Sequence, residues 1–356
     1  MVSSIKMSKV QTIDNKKGEI EFRKKLVAQI QTNNTCITGQ PTQEEYITIL
    51  KQRVDDTRII FKKLQKKGIP LSPFLEIGAE RGQRAMVLSN EFDAQGYYSD
   101  ISYDSLIYGK TVAKSLGFKK LPIGICCDAY NLPFKTGSIP FIFCFQTLHH
   151  FPDPKPVFEE IKRVLTPGGY FYFNEEPIKH VFNLNLWRRD YHLRWFEKIL
   201  KTTGLLHFIS QIGKSEVDHA ILEKEFSLET WEKALNVFPN VETKIFVFPF
   251  GPTIYRTKTK PSGWMNSFFL SKALLYLLGG GIEALCQKEH DRKWRRPHYT
   301  MVSALLACPN CKHKPNLKAT KNGDLLCTTC NSSFKNKNGV LMLFSKQQKS
   351  LYPKDI

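Results

Sequence analysis

Four cysteines near the C-terminus occur as two pairs with the spacing of a metal site. Cys308 and Cys311 form the first pair, and Cys327 and Cys330 follow after fifteen intervening residues. Four thiolates offer soft tetrahedral ligation, which favours zinc over an iron cluster or a redox disulfide pair. A closed shell of four ligands leaves no position for a catalytic water, so we expect a structural zinc that holds a small module folded.

A second candidate site is a glycine turn that follows a short apolar run. The turn contains Gly78 and Gly82, and Asp100 lies 22 residues beyond the first glycine. Glycine lets backbone N–H groups at a helix N-terminus approach a ligand, and a carboxylate at this spacing can accept hydrogen bonds from a ribose diol. A dinucleotide site would favour glycine where the chain has Glu80 and Gln83. The pattern therefore predicts a nucleotide-like ligand without a pyrophosphate.

Three further segments follow the turn in a fixed order. They are Cys127–Phe134, Phe143–Phe151 and Glu160–Gly169. Together with the turn they resemble the class I S-adenosylmethionine-dependent methyltransferases of the ubiquinone-biosynthesis C-methyltransferase type, which are methyltransferase type 11-like, over roughly residues 74–177. The resemblance implies a Rossmann-like, doubly wound α/β fold with a mostly parallel seven-stranded sheet, S-adenosylmethionine as the cofactor, and methyl transfer as the activity.

The resemblance also assigns cofactor contacts to individual residues. The contacts it implies are Glu76, Gly78, Gly82, Asp100, Asp128, Ala129 and Gln146. The first three would surround the methionine end of the cofactor, and Asp100 would bind the ribose hydroxyls. Asp128 would accept from the adenine amino group beside the backbone N–H of Ala129, and Gln146 would lie near the transferred methyl. The chain departs from the family at Glu80, where glycine is usual.

Methyl transfer requires a base only when the acceptor atom carries a proton. His149, His150, Glu175 and Glu176 are the candidates for this role. The alternative is that a histidine at a strand end only caps or packs. No Asn-Pro-Pro-aromatic motif follows the fourth predicted strand, which argues against an amino-methyltransferase that acts on a flipped base or an amide.

Residues 338–344 complete a second resemblance, to the zinc ribbon of the small activator subunit that partners RNA and protein methyltransferases. The segment that precedes the cysteines, residues 299–307, is short and largely apolar. A flexible tether would be rich in glycine and serine. We therefore expect the ribbon to dock on the catalytic domain, with a freely tethered binding module as the alternative.

Apolar runs that alternate with amphipathic stretches indicate crossover units and a parallel sheet. The predicted strands are Phe74–Ile77, Tyr97–Ile101, Ile123–Cys127, Ile139–Phe145 and Tyr170–Phe173. The predicted domains are a polar, loosely ordered N-terminal tail (1–41), a helical lead-in (42–72), the S-adenosylmethionine-binding core (73–177), the remaining sheet with an aromatic substrate cap (178–302), the zinc ribbon (303–347) and a tail (348–356).

The segment Trp264–Cys286 is the most membrane-like part of the chain. Its longest charge-free run, Ala273–Ile282, would span roughly 15 Å as a helix against about 30 Å of hydrocarbon. We therefore expect a buried helix and turn, with peripheral membrane contact as the alternative. The five cysteines outside the pairs fall in or near apolar segments and are expected in the core.

The charge and the aromatic content of the chain indicate which classes of binding partner it favours. A net charge of +19 would let an anionic surface attract the chain. The aromatic cap fits a small-molecule or lipid-like methyl acceptor. An RNA acceptor, bound by the ribbon and the basic cluster 292–296, is an alternative, and so is a non-catalytic binding protein that keeps the fold. The N-terminus lacks the apolar core of a signal peptide, so a cytoplasmic protein is expected.

Overall fold

The computed structural model describes residues 9–32, 43–179, 195–203, 205, 225–247, 252–258, 275–277, 279–291, 302–348 and 351–352. The helices are α1 (Lys9–Thr32), α2 (Gln43–Lys66), α3 (Gln83–Glu91), α4 (Tyr103–Leu116), α5 (Lys155–Val164), α6 (Trp195–Thr202) and α7 (Leu228–Leu235). The strands are β1 (Phe74–Ile77), β2 (Gly96–Asp100), β3 (Ile123–Cys126), β4 (Ile139–Phe145), β5 (Leu165–Ile178), β6 (Asn240–Val247), β7 (Pro252–Lys258), β8 (Gly280–Gln287), β9 (Leu317–Ala319), β10 (Leu325–Cys327), β11 (Ser333–Phe334), β12 (Asn336–Lys337) and β13 (Val340–Met342).

A ten-stranded sheet runs through the described part of the chain in the order β12-β13-β3-β2-β1-β4-β5-β8-β6-β7. Strands β1 to β5 are mutually parallel, and β8 lies antiparallel between β5 and β6. This confirms the mostly parallel Rossmann-like fold. The sheet exceeds the seven strands expected, because β7 adds a hairpin partner to β6 and the C-terminal segment adds β12 and β13.

The inner strands are buried and mostly apolar because helices cover both faces of the sheet. Every residue of β1 and β4 is buried. On one face Phe61 of α2 packs edge-on against Phe143, with 5.2 Å between ring centroids. On the other face Phe158 of α5 packs edge-on against Phe171 at 5.3 Å. This packing holds the carboxyl ends of the parallel strands at one edge of the sheet.

The expectation of a loosely ordered N-terminal tail is wrong for residues 9–32, which form helix α1. Phe22, Leu26 and Ile30 recur at four-residue spacing and are buried against α2 and α4. Charged residues and Gly18 interrupt this apolar stripe, so the helical periodicity is weak in the sequence. The helix therefore depends on tertiary packing, and it brings polar side chains to the functional edge of the sheet.

The C-terminal segment continues the central sheet. Strand β13 pairs in parallel with β3, with Val340 opposite Gly124 and Met342 opposite Cys126. The Leu343 N–H then donates to the Cys126 carbonyl at 2.9 Å. Strands β9, β10 and β11 form a separate antiparallel sheet around the cysteine pairs. The segment that follows the cysteines thus pairs with the central sheet, and the docking of a ribbon stays a prediction.

The described part of the membrane-like segment follows the expected helix and turn only as far as Gly279. Residues 275–277 are helical and Gly279 has φ of +81°, whereas residues 280–287 form β8 between two other strands. Among the described helices, none is long and apolar enough to cross a membrane. The four described cysteines outside the pairs are buried, as expected: Cys126, Cys127, Cys144 and Cys286. Cys36, the cluster 292–296 and most of the predicted cap lie outside the described residues.

Candidate functional site

The glycine turn fits closely against neighbouring strands. Gly78 and Gly82 have φ of +62° and +73°. A Cβ atom at Gly78 would lie 2.2 Å from Cγ2 of Thr147, and one at Gly82 would lie 2.7 Å from the ring of Tyr98. Both positions therefore require glycine for conformation and for space. The turn stands at the carboxyl end of β1, where open α/β sheets bind ligands.

Glu80 adopts the left-handed backbone that glycine would adopt without strain. Its φ is +53°, which is uncommon for a residue with a side chain. Its carboxylate contacts Arg23 at 3.2 Å, Arg81 at 3.3 Å and Arg53 at 3.9 Å. The departure from the family pattern is thus accommodated by an arginine cluster around the side chain.

Asp100 is fixed by two backbone hydrogen bonds at the end of β2. The Glu80 N–H donates to one carboxylate oxygen and the Ser102 N–H to the other, each at 2.8 Å. Burial raises the pKa of Asp100 to about 6. The group is therefore ionised at neutral pH and can accept hydrogen bonds from a diol, as predicted for the ribose.

Glu76 lies beneath the turn and anchors the helix that follows it. The side chain is buried and accepts the Ala85 N–H of α3 at 3.0 Å. Burial raises the pKa of Glu76 to about 8, although the nearby Arg84 opposes this shift. The residue fixes the N-terminus of α3 behind the turn, and its contact with a ligand stays a prediction.

Asp128 follows β3 and is covered from two sides. One oxygen accepts the Tyr130 N–H at 3.0 Å, which caps the short 3-10 helix Ala129–Asn131. The other oxygen accepts from Nε2 of Gln348 at 2.5 Å and pairs with the ammonium of Lys16. The predicted adenine contact is thus held by α1 and by the C-terminal segment, with Ala129 buried beside it.

Gln146 and Glu175 are left-handed non-glycine residues at the same edge. Gln146 follows β4 with φ of +50°, and its N–H donates to the Asn174 carbonyl at 3.2 Å. Glu175 has φ of +65° and contacts Arg84 at 3.5 Å. With Glu80, these residues surround the glycine turn. Left-handed non-glycine residues cluster at functional sites because the surrounding structure maintains their strain.

His149 and Glu176 form a buried dyad. Oε1 of Glu176 accepts the N–H groups of Thr147 at 2.7 Å and Leu148 at 2.9 Å. Its Oε2 accepts the backbone N–H of His149 at 3.1 Å and lies 2.9 Å from Nδ1 of the imidazole. A carboxylate at Nδ1 favours the tautomer with its proton there, which leaves Nε2 as the basic nitrogen. The His150 ring packs against that of His149, tilted by 37° with 4.2 Å between centroids.

Residues 75–173 match the family described as "Methyltransferase domain". A stretch of 95 residues is 28% identical to the methyltransferase GfsG of Streptomyces halstedii and makes up 27% of this chain and 34% of that protein. The chain thus spans about a third of the length of this curated relative.

Solved structures with a similar fold include two methyltransferases. Phosphoethanolamine N-methyltransferase 2 of Haemonchus contortus in complex with S-adenosyl-L-methionine matches with a TM-score of 0.43 and 16% identity, over 66% of this chain and 53% of that chain. Geranyl diphosphate C-methyltransferase of Streptomyces coelicolor A3(2) matches with a TM-score of 0.41 and 12% identity, over 72% of this chain and 90% of that chain. Likenesses this distant identify no substrate.

The matched residues 75–173 contain all the predicted cofactor residues, whereas the four paired cysteines lie outside them. Their four sulfur atoms are within 4.8 Å of one another. Sγ of Cys308 lies 3.6 Å from that of Cys330, and Sγ of Cys311 lies 3.8 Å from that of Cys327. Tetrahedral zinc with Zn–S bonds of about 2.3 Å requires sulfur atoms about 3.8 Å apart, so the spacing of the four donors fits zinc.

Sequence reasoning missed several polar residues at this edge of the sheet. These are Lys16, Arg23, Arg53, Arg81 and Gln348. Arg81 stands within the glycine turn, but its contacts with Tyr46 and Tyr108 arise only when α2 and α4 pack beside it. The other four lie on α1, α2 and the C-terminal segment, which reach the site only through tertiary packing. The identification as the ubiquinone-biosynthesis type and the resemblance to an activator ribbon stay predictions.

Proposed function

We propose that this chain transfers a methyl group from S-adenosylmethionine to a small-molecule or lipid-like acceptor. The observation that carries the proposal is the geometry of the turn and the two aspartates. Gly78, Asp100 and Asp128 stand at the carboxyl ends of adjacent parallel strands, in the order that binds methionine, ribose and adenine in the family. When bound, the cofactor would supply an electrophilic methyl group.

His149 accepts the proton that an O–H or N–H acceptor loses on methylation. Its Nδ1 is held by Glu176, so Nε2 is the nitrogen that takes this proton. Glu176 is fully buried and fixed by three backbone N–H groups, so the orientation of the ring is maintained throughout the reaction. Glu175 is less suited to this role because it lies against Arg84. His150 packs on the His149 ring and supports its orientation.

We also propose that the paired cysteines hold a structural zinc and that this ribbon supports the adenine loop. Nδ2 of Asn131 donates to the Pro309 carbonyl at 3.0 Å, and the Lys314 ammonium bonds the amide oxygen of Asn131. Asn310 accepts the Lys346 N–H at 2.7 Å, two residues before Gln348, which bonds Asp128. The zinc loop therefore touches the residues on both sides of the predicted adenine contact.

The contacts at Asp128 favour one alternative, a non-catalytic binding protein that keeps the fold. Lys16 and Gln348 occupy the carboxylate that would receive adenine. An active enzyme must exchange these contacts for the cofactor, whereas a binding protein can keep them. No described contact favours RNA as the acceptor, since the basic cluster 292–296 lies outside the described residues.

A titration followed by a transfer assay tests the proposal. Full-length protein is titrated with S-adenosylmethionine by calorimetry and then incubated with tritiated cofactor and small-molecule, lipid and RNA fractions. Asp100→Ala is the test variant, and the exposed Asp93→Ala is the matched control. Binding that only Asp100→Ala weakens, with transfer to a small molecule or lipid, supports the proposal. Cofactor binding without transfer to any fraction supports the non-catalytic alternative.

A further inference from the structure

A buried arginine beside the glycine turn makes no hydrogen bond to any described residue. Arg81 is 0% exposed, and its Nε, Nη1 and Nη2 atoms all lack a hydrogen-bond partner in the described part of the chain. The guanidinium instead lies over the rings of Tyr46 at 4.3 Å and Tyr108 at 5.4 Å. Glu80 is 3.3 Å away but outside hydrogen-bond geometry. The aromatic rings hold the cation in position without satisfying its five donors.

This arrangement is costly for a protein without a ligand. Buried polar groups are nearly always hydrogen-bonded, and an arginine is rarely buried unless it is paired. Burial, together with the nearby Arg23, lowers the pKa of Arg81 to about 9. An unsatisfied buried donor set of this kind indicates that an acceptor group belongs beside it.

Nearby carboxylates do not supply the missing acceptors. Arg23, Arg53 and Arg81 all face the carboxylate of Glu80. Arg23 also pairs with Glu19 at 2.7 Å, whereas Arg53 and Arg81 reach Glu80 only at distances above 3 Å. The hydroxyl of Tyr46 is buried and likewise lacks a hydrogen-bond partner within the described residues. These unsatisfied donors favour an anion.

We propose that Arg81, Arg53 and Tyr46 form a binding site for an anionic group, a carboxylate or a phosphate. Planar guanidinium groups bind both anions in bidentate fashion. Two sources fit this chemistry: the carboxylate of the methionine moiety of the cofactor, and an acidic group on the methyl acceptor. This inference rests on the proposed function, since it takes the adjoining turn as the cofactor site.

Helix α1 connects this site with the proposed base. Burial acts to raise the pKa of Glu19, but Arg23, His150 and His149 lower it. Glu19 thus lies near the histidines and pairs with an arginine of the cluster one helical turn away. An acceptor anchored by its acidic group can therefore reach His149 from the same side of the sheet.

Calorimetry and thermal melting of full-length protein test the site. The variants are Arg81→Met, which keeps the length of the side chain, and Arg58→Met at an exposed ion pair as the control. The probes are S-adenosylhomocysteine, 5′-methylthioadenosine, which lacks the amino-acid portion, and inorganic phosphate and pyrophosphate. Since the change removes an unpaired buried charge, Arg81→Met should melt at or above the wild-type temperature without ligand.

The probes distinguish the two sources. If the site binds the carboxylate of the cofactor, Arg81→Met weakens the binding of S-adenosylhomocysteine at least tenfold, which corresponds to about 1.4 kcal/mol. The affinity for 5′-methylthioadenosine stays unchanged. If the site takes the acceptor, S-adenosylhomocysteine is unaffected, and phosphate or pyrophosphate raises the melting temperature of the wild type and not of the variant. Should Arg81→Met fail to fold, Arg53→Met carries the same expectations, because Arg53 is only half-buried.

One combination of results overturns the inference. The folded Arg81→Met or Arg53→Met variant binds S-adenosylhomocysteine with wild-type affinity, and neither phosphate nor pyrophosphate changes the melting temperature of the wild type. A different result separates the two proposals. If the wild type binds no S-adenosylhomocysteine, but phosphate raises the melting temperature of the wild type and not of Arg81→Met, the proposed function is contradicted and the anion site is supported.

Discussion

The substitution Glu176→Gln separates a catalytic dyad from a packing contact. Oε1 of Glu176 accepts two backbone N–H groups, and a glutamine oxygen can still accept both. The NH₂ group then replaces Oε2, where it meets two donors, the backbone N–H of His149 and its Nδ1–H. The imidazole can relieve one conflict by moving its proton to Nε2. His149 then loses its basic nitrogen on the side that faces away from residue 176.

The expected losses of stability and of rate follow from these contacts. One charge-assisted bond, from the His149 N–H, is lost outright, and such bonds contribute about 1.5–3 kcal/mol. The melting temperature should fall by about 2–4 °C for each kcal/mol. Loss of a positioned base typically costs about 10²–10⁴-fold in rate. We therefore expect folded Glu176→Gln to lose far more activity than its modest destabilisation explains.

The assay compares kcat and its pH profile with thermal melting for Glu176→Gln and for Glu159→Gln, an exposed control on α5. A folded Glu176→Gln enzyme with wild-type kcat and an unchanged pH profile would refute the assignment of His149 as an oriented base. If the loss of activity is only as large as the loss of folded protein, the contact between His149 and Glu176 is structural and not catalytic.

Three further outcomes are expected. Because burial raises the pKa of Glu76 from 4.5 to about 8, the folded state binds the extra proton between those values; stability should therefore fall as pH rises through that window, and melting curves of Glu76→Gln should lose this slope. If the paired cysteines hold the proposed structural zinc, metal binding worth about 10–16 kcal/mol stabilises this segment. Metal analysis should then find about one zinc, and chelation should weaken cofactor binding as well as disorder residues 302–348; full affinity after chelation would contradict this coupling. Lys16→Met removes the cation from Asp128 and should tighten S-adenosylmethionine binding by calorimetry, whereas weaker binding would show that Lys16 contacts the cofactor.

Much of the core could be predicted from sequence because its signals are local. The strand Ile139–Phe145 was predicted with the bounds that it has, since a continuous apolar run is typical of a strand covered on both faces. The glycine turn could be located because Gly78 and Gly82 need conformations and space that only glycine offers. In each case the physical requirement falls on residues close together in the chain.

The missed features depend on contacts between distant segments. Nothing near Lys16 in the sequence indicates that it lies beside Asp128, because this pairing arises only when α1 packs on α4. The pairing of β13 with β3 could likewise not be predicted, since Val340–Met342 is too short to show the periodicity of a strand. The sequence predicts Glu176 as a candidate base, but only the structure shows that its carboxylate contacts Nδ1 of His149.

Calorimetric titration of the wild-type protein and Asp100→Ala with S-adenosylmethionine tests the central claim most directly. Asp100 holds its carboxylate at the end of β2 through two backbone N–H groups, and both remain in place without the side chain. The account predicts saturable binding by the wild type and at least tenfold weaker binding by Asp100→Ala, with tighter wild-type binding above pH 6 than below it. Equal affinity in the two proteins, or no binding by the wild type, would contradict the assignment of this edge of the sheet as the cofactor site.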